Sequence, residues 1–239
     1  MPPDSPPRIL PCGDRALTVE FGEIVDPVLN GRVLALDARA AGLDGVVETV
    51  PTYRSLLVVF DPLRTDPAAL SADLLRLAAG AGEAAVEGRT WRVPVAYGGE
   101  FGIDLDDTAA RHGLAPSALV QRHAAPTYGV YMVGFLPGFA YLGGLDPTIA
   151  TPRRTHPRLR TPAGTISIGG VQALVASIEA PSGWHLLGRT PVRNFVPARN
   201  PPVLIAPGDR VRFDPIDPAR FGSLERAAAA GEPVAEVVG

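Results

Sequence analysis

Arg153, Arg154, Arg158 and Arg160 fall within eight residues, His156 sits among them, and a fifth arginine follows at Arg189. Guanidinium groups bind carboxylate or phosphate through paired N–H donors, so such a run on a folded scaffold suits an anionic ligand. Arg153, Arg154 and Arg158 are the candidates to clamp it, with Arg189 and its neighbour Thr190 as further contacts. The competing reading is solvated loop charge, or pairing with an acid such as Asp146. His156 is a candidate base, and His185, next to Trp184, a candidate ligand contact; His112 and His123 fall on helical stretches and read as surface. Phe135, Phe139, Tyr141 and Trp184 offer an apolar wall. Gly138, Gly143, Gly144, Gly169 and Gly170 could bring backbone N–H groups to an anion, and Pro137 and Gln172 stand in the same turns. Asp104 could act as a base, but its place before a helical stretch favours an N-cap. No His/Cys/Asp spacing resembles a metal site, and Cys12 has no base near it in sequence.

The composition narrows the chemistry. All 22 basic residues are arginine, so a Schiff-base lysine and a Walker A phosphate loop are both excluded. A net charge of −3 gives no global pull toward nucleic acid or anionic membrane. A single cysteine rules out an internal disulfide framework and fits a reducing compartment. The proline-rich start lacks the apolar segment of a secretory signal, and the longest clean apolar run, Leu56 to Phe60, is far too short to span a bilayer. A cytoplasmic protein is expected.

These residues need positioning elements. Residues 16–21 read as a strand, and Asp26-Pro27 opens a helix whose Leu29, Val33, Leu36 and Ala40 share one face. Residues 46–50 and 55–60 read as a hairpin. Asp66-Pro67 opens a second helix with Leu70, Leu74, Leu77 and Ala78 inward, stopped by Gly80 and Gly82, and residues 90–97 form a strand. The order β-α-β-β-α-β resembles a ferredoxin-like split unit. Short helices follow from Asp104 and from Pro116, then short strands over 128–135, 165–169, 171–178, 185–189, 203–206 and 210–213. That spacing predicts a closed antiparallel barrel, with a last helix over 223–230. The fold class is therefore α+β, with a small α/β domain over residues 1–89 and a β-barrel domain over 90–239.

One family carries these motifs. Gly134-Phe135-Leu136-Pro137-Gly138-Phe139-Ala140-Tyr141-Leu142-Gly143 resembles the 5-oxoprolinase B-subunit family, also called allophanate hydrolase subunit 1 or the sporulation-kinase inhibitor family. The likeness continues through Pro152-Arg153-Arg154, Pro162-Ala163-Gly164, Gly188-Arg189-Thr190-Pro191 and Pro207-Gly208-Asp209-Arg210-Val211-Arg212-Phe213, and so covers nearly the whole chain. It implies a cyclophilin-like barrel after the small domain. It implies a partner, the 5-oxoprolinase C subunit (allophanate hydrolase subunit 2), together with a third, metal-independent A subunit. ATP is the implied co-substrate, used in opening 5-oxoproline or a related lactam or amide. Urea carboxylase carries a related domain pair in its carboxyltransferase part. The alternative within the family is a non-enzymatic inhibitor of a sensor histidine kinase. The chain departs from the family pattern at Val171-Gln172-Ala173-Leu174, at Pro181-Ser182-Gly183-Trp184 and at Ile103.

Overall fold

The computed structural model describes residues 6–80 and 88–238. The chain divides into two compact units, Met1–Glu87 and Gly88–Gly239. In the first, β1 (Arg8–Pro11) and β2 (Ala16–Glu20) precede α1 (Pro27–Ala40), β3 (Val46–Pro51), β4 (Ser55–Phe60) and α2 (Pro67–Ala79). Both Asp-Pro starts hold. The Asp26 carboxylate accepts from the amides of Val28 and Leu29, and that of Asp66 accepts from the Ala69 amide at 2.9 Å. These bonds satisfy donors that a helix start leaves free, and the following proline has no amide hydrogen to satisfy. The predicted apolar faces are buried, with Leu77 half-buried at the margin of α2. Gly80 caps α2, and Gly82 lies outside the described residues.

The small sheet runs β1-β2-β4-β3, antiparallel throughout. Residues 90–97, expected as its last strand, are not in it. The edge beside β2 is taken by β1, whose residues are mostly exposed. Val93 to Ala96 form a wholly buried run, which needs a neighbour on each side and finds it in the second unit.

That unit contains β5 (Thr90–Tyr97), α3 (Leu105–Arg111), α4 (Pro116–Ala124), β6 (Tyr128–Val133), β7 (Ala140–Gly143), β8 (Arg158–Thr161) and β9 (Thr165–Gly169). It continues with β10 (Gln172–Val175), β11 (Ala180–Ser182), β12 (His185–Arg189), β13 (Arg210–Pro215), α5 (Pro218–Ala229) and β14 (Glu236–Val237). Strands β12-β9-β10-β7-β6-β13-β5 follow one another, and β5 pairs back to β12, closing the barrel. The start of β5 also receives β14. The barrel is not wholly antiparallel as expected, because β13 lies parallel to β5. These two strands are far apart in the chain, so no hairpin dictates their relative direction. Asp209 fixes their meeting: its buried carboxylate accepts from the amides of Arg89 and Ala206 and from Trp91 Nε1, at 2.8–3.0 Å.

Strands β8 and β11 stand apart as a two-stranded ribbon that carries part of the arginine run. The stretch 203–206 makes only a bridge between Phe195 and Val203. The last helix begins five residues earlier than expected, at another Asp-Pro pair, whose Asp217 accepts from the Ala219 amide. His123 is not a surface residue. It is fully buried on α4, stacked on Phe213 at 4.8 Å, with Tyr97 Oη 2.8 Å from its Nδ1. Burial lowers its pKa to about 3. His112 is half-buried and bonds Thr151 Oγ1.

Candidate functional site

The cleft is assembled from loops around the ribbon and the adjoining barrel strands. Between β6 and β7 the chain turns through Gly134–Phe139, held by bonds from the Gly134 amide to the Phe139 carbonyl and from the Phe139 amide to the Leu136 carbonyl. Phe135 occupies φ 68°, a region where a bulky side chain is strained, yet it is 69% exposed. The loop is pinned from behind. Buried Asn194 donates Nδ2–H to the Gly138 carbonyl at 2.6 Å, and Ser177 Oγ bonds the Pro137 carbonyl.

Trp184 is buried between β11 and β12, edge-on to Tyr141 with 5.8 Å between ring centroids. Its ring lies so close to Gly169 that a Cβ there would come within 2.6 Å of it. Gly169 therefore makes room for the indole, where an anion-binding amide was expected. The Gly170 amide is also taken, by the Thr151 carbonyl at 2.7 Å. Phe135, Phe139, Tyr141, Leu174, Trp184 and the two arginines Arg153 and Arg154 line a cleft of about 370 Å³. Burial pushes the Tyr141 hydroxyl pKa up, against the pull of the Arg153 charge, so it stays a neutral phenol at ordinary pH. A second hollow of about 270 Å³ is lined by Arg111, Arg153, Arg154, His156 and His185, so the two share Arg153 and Arg154.

The arginines differ in what they touch. Arg158 makes a two-pronged bond to Asp104, at 2.6 and 2.8 Å, and Arg154 adds a third contact at 3.2 Å. The fourth donor to this carboxylate is the Leu186 amide at 2.8 Å. Asp104 is 2% exposed and stands at the N-cap position of α3 as expected, but its side chain makes no capping bond there. Its carboxylate is spent on loop 153–158 and on β12 instead. Burial alone would raise the Asp104 pKa, but the Arg158 bonds, the Leu186 amide and the nearby guanidinium charges hold it below the ordinary carboxylate range. Arg153 stands over the Trp184 ring at 5.8 Å and has no ion-pair partner among the described residues.

Of the predicted site residues, the structure brings Phe135, Phe139, Arg153, Arg154, His156 and Trp184 to the two hollows. Pro137 and Gly138 shape the loop behind, and Gly169 seats Trp184. Arg158 supports from beside the cleft. Gln172 begins β10 opposite Gly169 and lines neither hollow. Arg189 and Thr190 line a separate depression, where Arg189 lies over Phe221 and pairs with Glu225, and Thr190 accepts from the Val192 amide. Arg160 pairs with Glu179 at the surface. Sequence reasoning missed Arg111 and the part played by Asp104, which is far from Arg158 in the chain. No group of His, Cys, Asp and Glu among the described residues could hold a metal ion. No helix among them is long and apolar enough to cross a membrane.

The profile of the family "carboxyltransferase domain, subdomain C and D" matches residues 7–205. The chain is 39% identical over 219 residues to the B subunit of 5-oxoprolinase from Bacillus subtilis, covering 86% of this chain and 91% of that protein. It is 44% identical to a conserved uncharacterized protein of Pyrococcus horikoshii, with a TM-score of 0.55, covering 90% of this chain and all of that one. The urea carboxylase of Kluyveromyces lactis shares the fold at a TM-score of 0.80 and 21% identity, the match taking in all of this chain and 24% of that one.

Proposed function

Because this chain belongs to the carboxyltransferase domain family, subdomain C and D, we propose that it is the B subunit of an ATP-dependent 5-oxoprolinase-type complex. Similarity along almost the whole length of the Bacillus subtilis relative carries this reading. The cleft supports it, since aromatic walls beside a guanidinium with no ion-pair partner among the described residues suit a small ring bearing an acid. In this reading the chain acts in the cytoplasm with the C and A subunits of the complex, and is inactive alone.

The chemistry has two parts. The lactam carbonyl oxygen takes the γ-phosphoryl group of ATP and releases ADP. One water then adds to the activated carbon and the C–N bond breaks to give an acyl phosphate, which a second water hydrolyses to glutamate and phosphate. The work of this chain's residues is positioning and electrostatic. Arg153 meets the negative charge of the bound ligand, the Asp104-anchored pair holds the loop that carries it, and the aromatic rings restrict water.

Purified chain combined with homologues of the C and A subunits should hydrolyse ATP in the presence of 5-oxoproline and not in its absence. Arg153→Ala should lower that turnover at least tenfold. A stable complex with no 5-oxoproline-dependent ATP turnover would refute the assignment.

A further inference from the structure

Of the guanidinium groups in and beside the two hollows, two are committed and two are not. Arg154 and Arg158 share the Asp104 carboxylate. Arg153 and Arg111 are exposed and have no ion-pair partner among the described residues, and no acidic side chain lines either hollow. The backbone that presents Arg153 is clamped on both sides. Before it, the Pro152 carbonyl can only accept, so His185 Nε2–H donates to it at 2.9 Å from a ring that is 3% exposed. After it, the Arg154 amide donates to the Gly183 carbonyl at 2.7 Å. A cation on a held backbone, already resting on an aromatic face, has little freedom left to lose when it meets an anion. Beside it, Arg154 Nε is buried without a partner among the described residues, an uncompensated donor in the wall both hollows share.

The two hollows differ in chemistry. One is aromatic and aliphatic; the other is walled by arginine and histidine and, at about 270 Å³, is smaller than the roughly 300–1,000 Å³ usual for a whole ligand. That size suits a charged group of a ligand whose body lies next door. We propose that the hollow of Arg111, Arg153, Arg154 and His156 is an oxyanion pocket, and that the aromatic cleft holds the uncharged body of the same molecule. The ligand class is a compact ring or planar group with a terminal carboxylate or phosphate. This deepens the reading above and rests on it for the choice of 5-oxoproline and ATP as probes. Arg153 reads the charge, Arg111 supplements it, and Arg154 is a fixed wall.

The test is calorimetric titration of the full chain with 5-oxoproline, with 2-pyrrolidinone (the same lactam without its carboxylate), with ATP and with inorganic phosphate. The wild type is compared with Arg153→Gln and Arg111→Gln, both exposed positions whose folding is checked by melting temperature. An oxyanion probe should bind the wild type, with affinity reduced at least tenfold in Arg153→Gln and about threefold in Arg111→Gln, while 2-pyrrolidinone binds more weakly and is indifferent to both. Preference for 5-oxoproline identifies a substrate carboxylate as the occupant, and preference for ATP and phosphate identifies a nucleotide. Absence of oxyanion binding, or binding unchanged in Arg153→Gln, overturns the pocket. A second arm separates this from the assignment itself. Arg153-dependent oxyanion binding without 5-oxoproline-dependent turnover in the assembled complex would keep the pocket and remove the oxoprolinase reading. Turnover that survives in Arg153→Gln would do the reverse.

Discussion

Replacing Asp104 with asparagine tests whether one carboxylate organises the cleft from outside it. Asparagine keeps the volume but loses the charge and one of two acceptor oxygens. Four donors converge on this group: three from Arg158 and Arg154 and one from the Leu186 amide. A single amide oxygen cannot serve them, and the new NH₂ faces guanidinium donors. Breaking a buried ion pair by removing one partner costs roughly 3–5 kcal/mol. Here the side chains of Arg154 and Arg158 are 29% and 23% exposed, so water recovers part of the loss. We expect about 2–4 kcal/mol after that discount. For a folding unit of this size the melting temperature should fall by about 5–12 °C.

Thermal and urea unfolding followed by tryptophan fluorescence would read this at pH 7. The sign with pH follows from a folded pKa below the unfolded one. The wild-type contribution is complete above the unfolded carboxylate value and is lost as pH falls through the lower folded value, and Asp104→Asn should abolish that acid-side loss. Oxyanion affinity should fall as well, although Asp104 lines neither hollow. A variant melting within about 1 °C of the wild type would refute the reasoning.

Three further outcomes are expected. His123 is neutral when folded, with a pKa of about 3, and near 6.5 when unfolded, so stability should decline by up to about 1.4 kcal/mol per pH unit from pH 6.5 downward. The urea midpoint between pH 6.5 and 4.5 checks this, and His123→Phe should flatten the profile even if the Tyr97 hydroxyl loses its partner. Gly169→Ala places a methyl within 2.6 Å of the Trp184 ring and should cost about 1–3 kcal/mol while shifting the Trp184 emission; an unchanged spectrum and stability would contradict the packing. Phe135→Gly releases a strained backbone worth about 1–3 kcal/mol, so the melting temperature should hold or rise while ligand affinity drops several-fold, and a fall of more than about 2 °C would show that no strain is stored there.

Much of the scaffold could be read from residue order, because its signals are local. Asp26-Pro27 and Asp66-Pro67 mark helix starts through bonds spanning two or three residues, and the spacing of Leu29, Val33 and Leu36 shows the buried face directly. Asp217-Pro218 carries the same signal at the start of α5, whereas Asp61-Pro62 and Asp214-Pro215 carry it without opening a helix. The allocation of β5 could not be read this way, since its pattern fits either sheet and only the partners on its two edges decide. The arginine run lies on a loop beside a cleft, and Trp184, Phe135 and Phe139, singled out with it from their residue types, line the same cleft. What spacing could not show is which guanidinium is free, because that depends on Asp104 reaching Arg158 from a distant segment. His123 misled for a related reason: one polar residue on a short helix looks exposed until Tyr97 and Phe213 are folded around it.

The parallel pairing of β5 with β13 has a consequence for the order in which the molecule can be made. Thr90 faces Arg210, and Trp91 depends on Asp209 for its indole bond, so the first barrel strand to leave the ribosome must wait for nearly the last. At about 5–20 residues per second that wait is on the order of ten seconds. During it, one edge of the apolar Val93–Ala96 segment has no β13 to pair with. Closure of the barrel is thus a late event of biosynthesis, and the nascent chain passes through a stage in which a chaperone or a neighbouring nascent chain can compete for that edge.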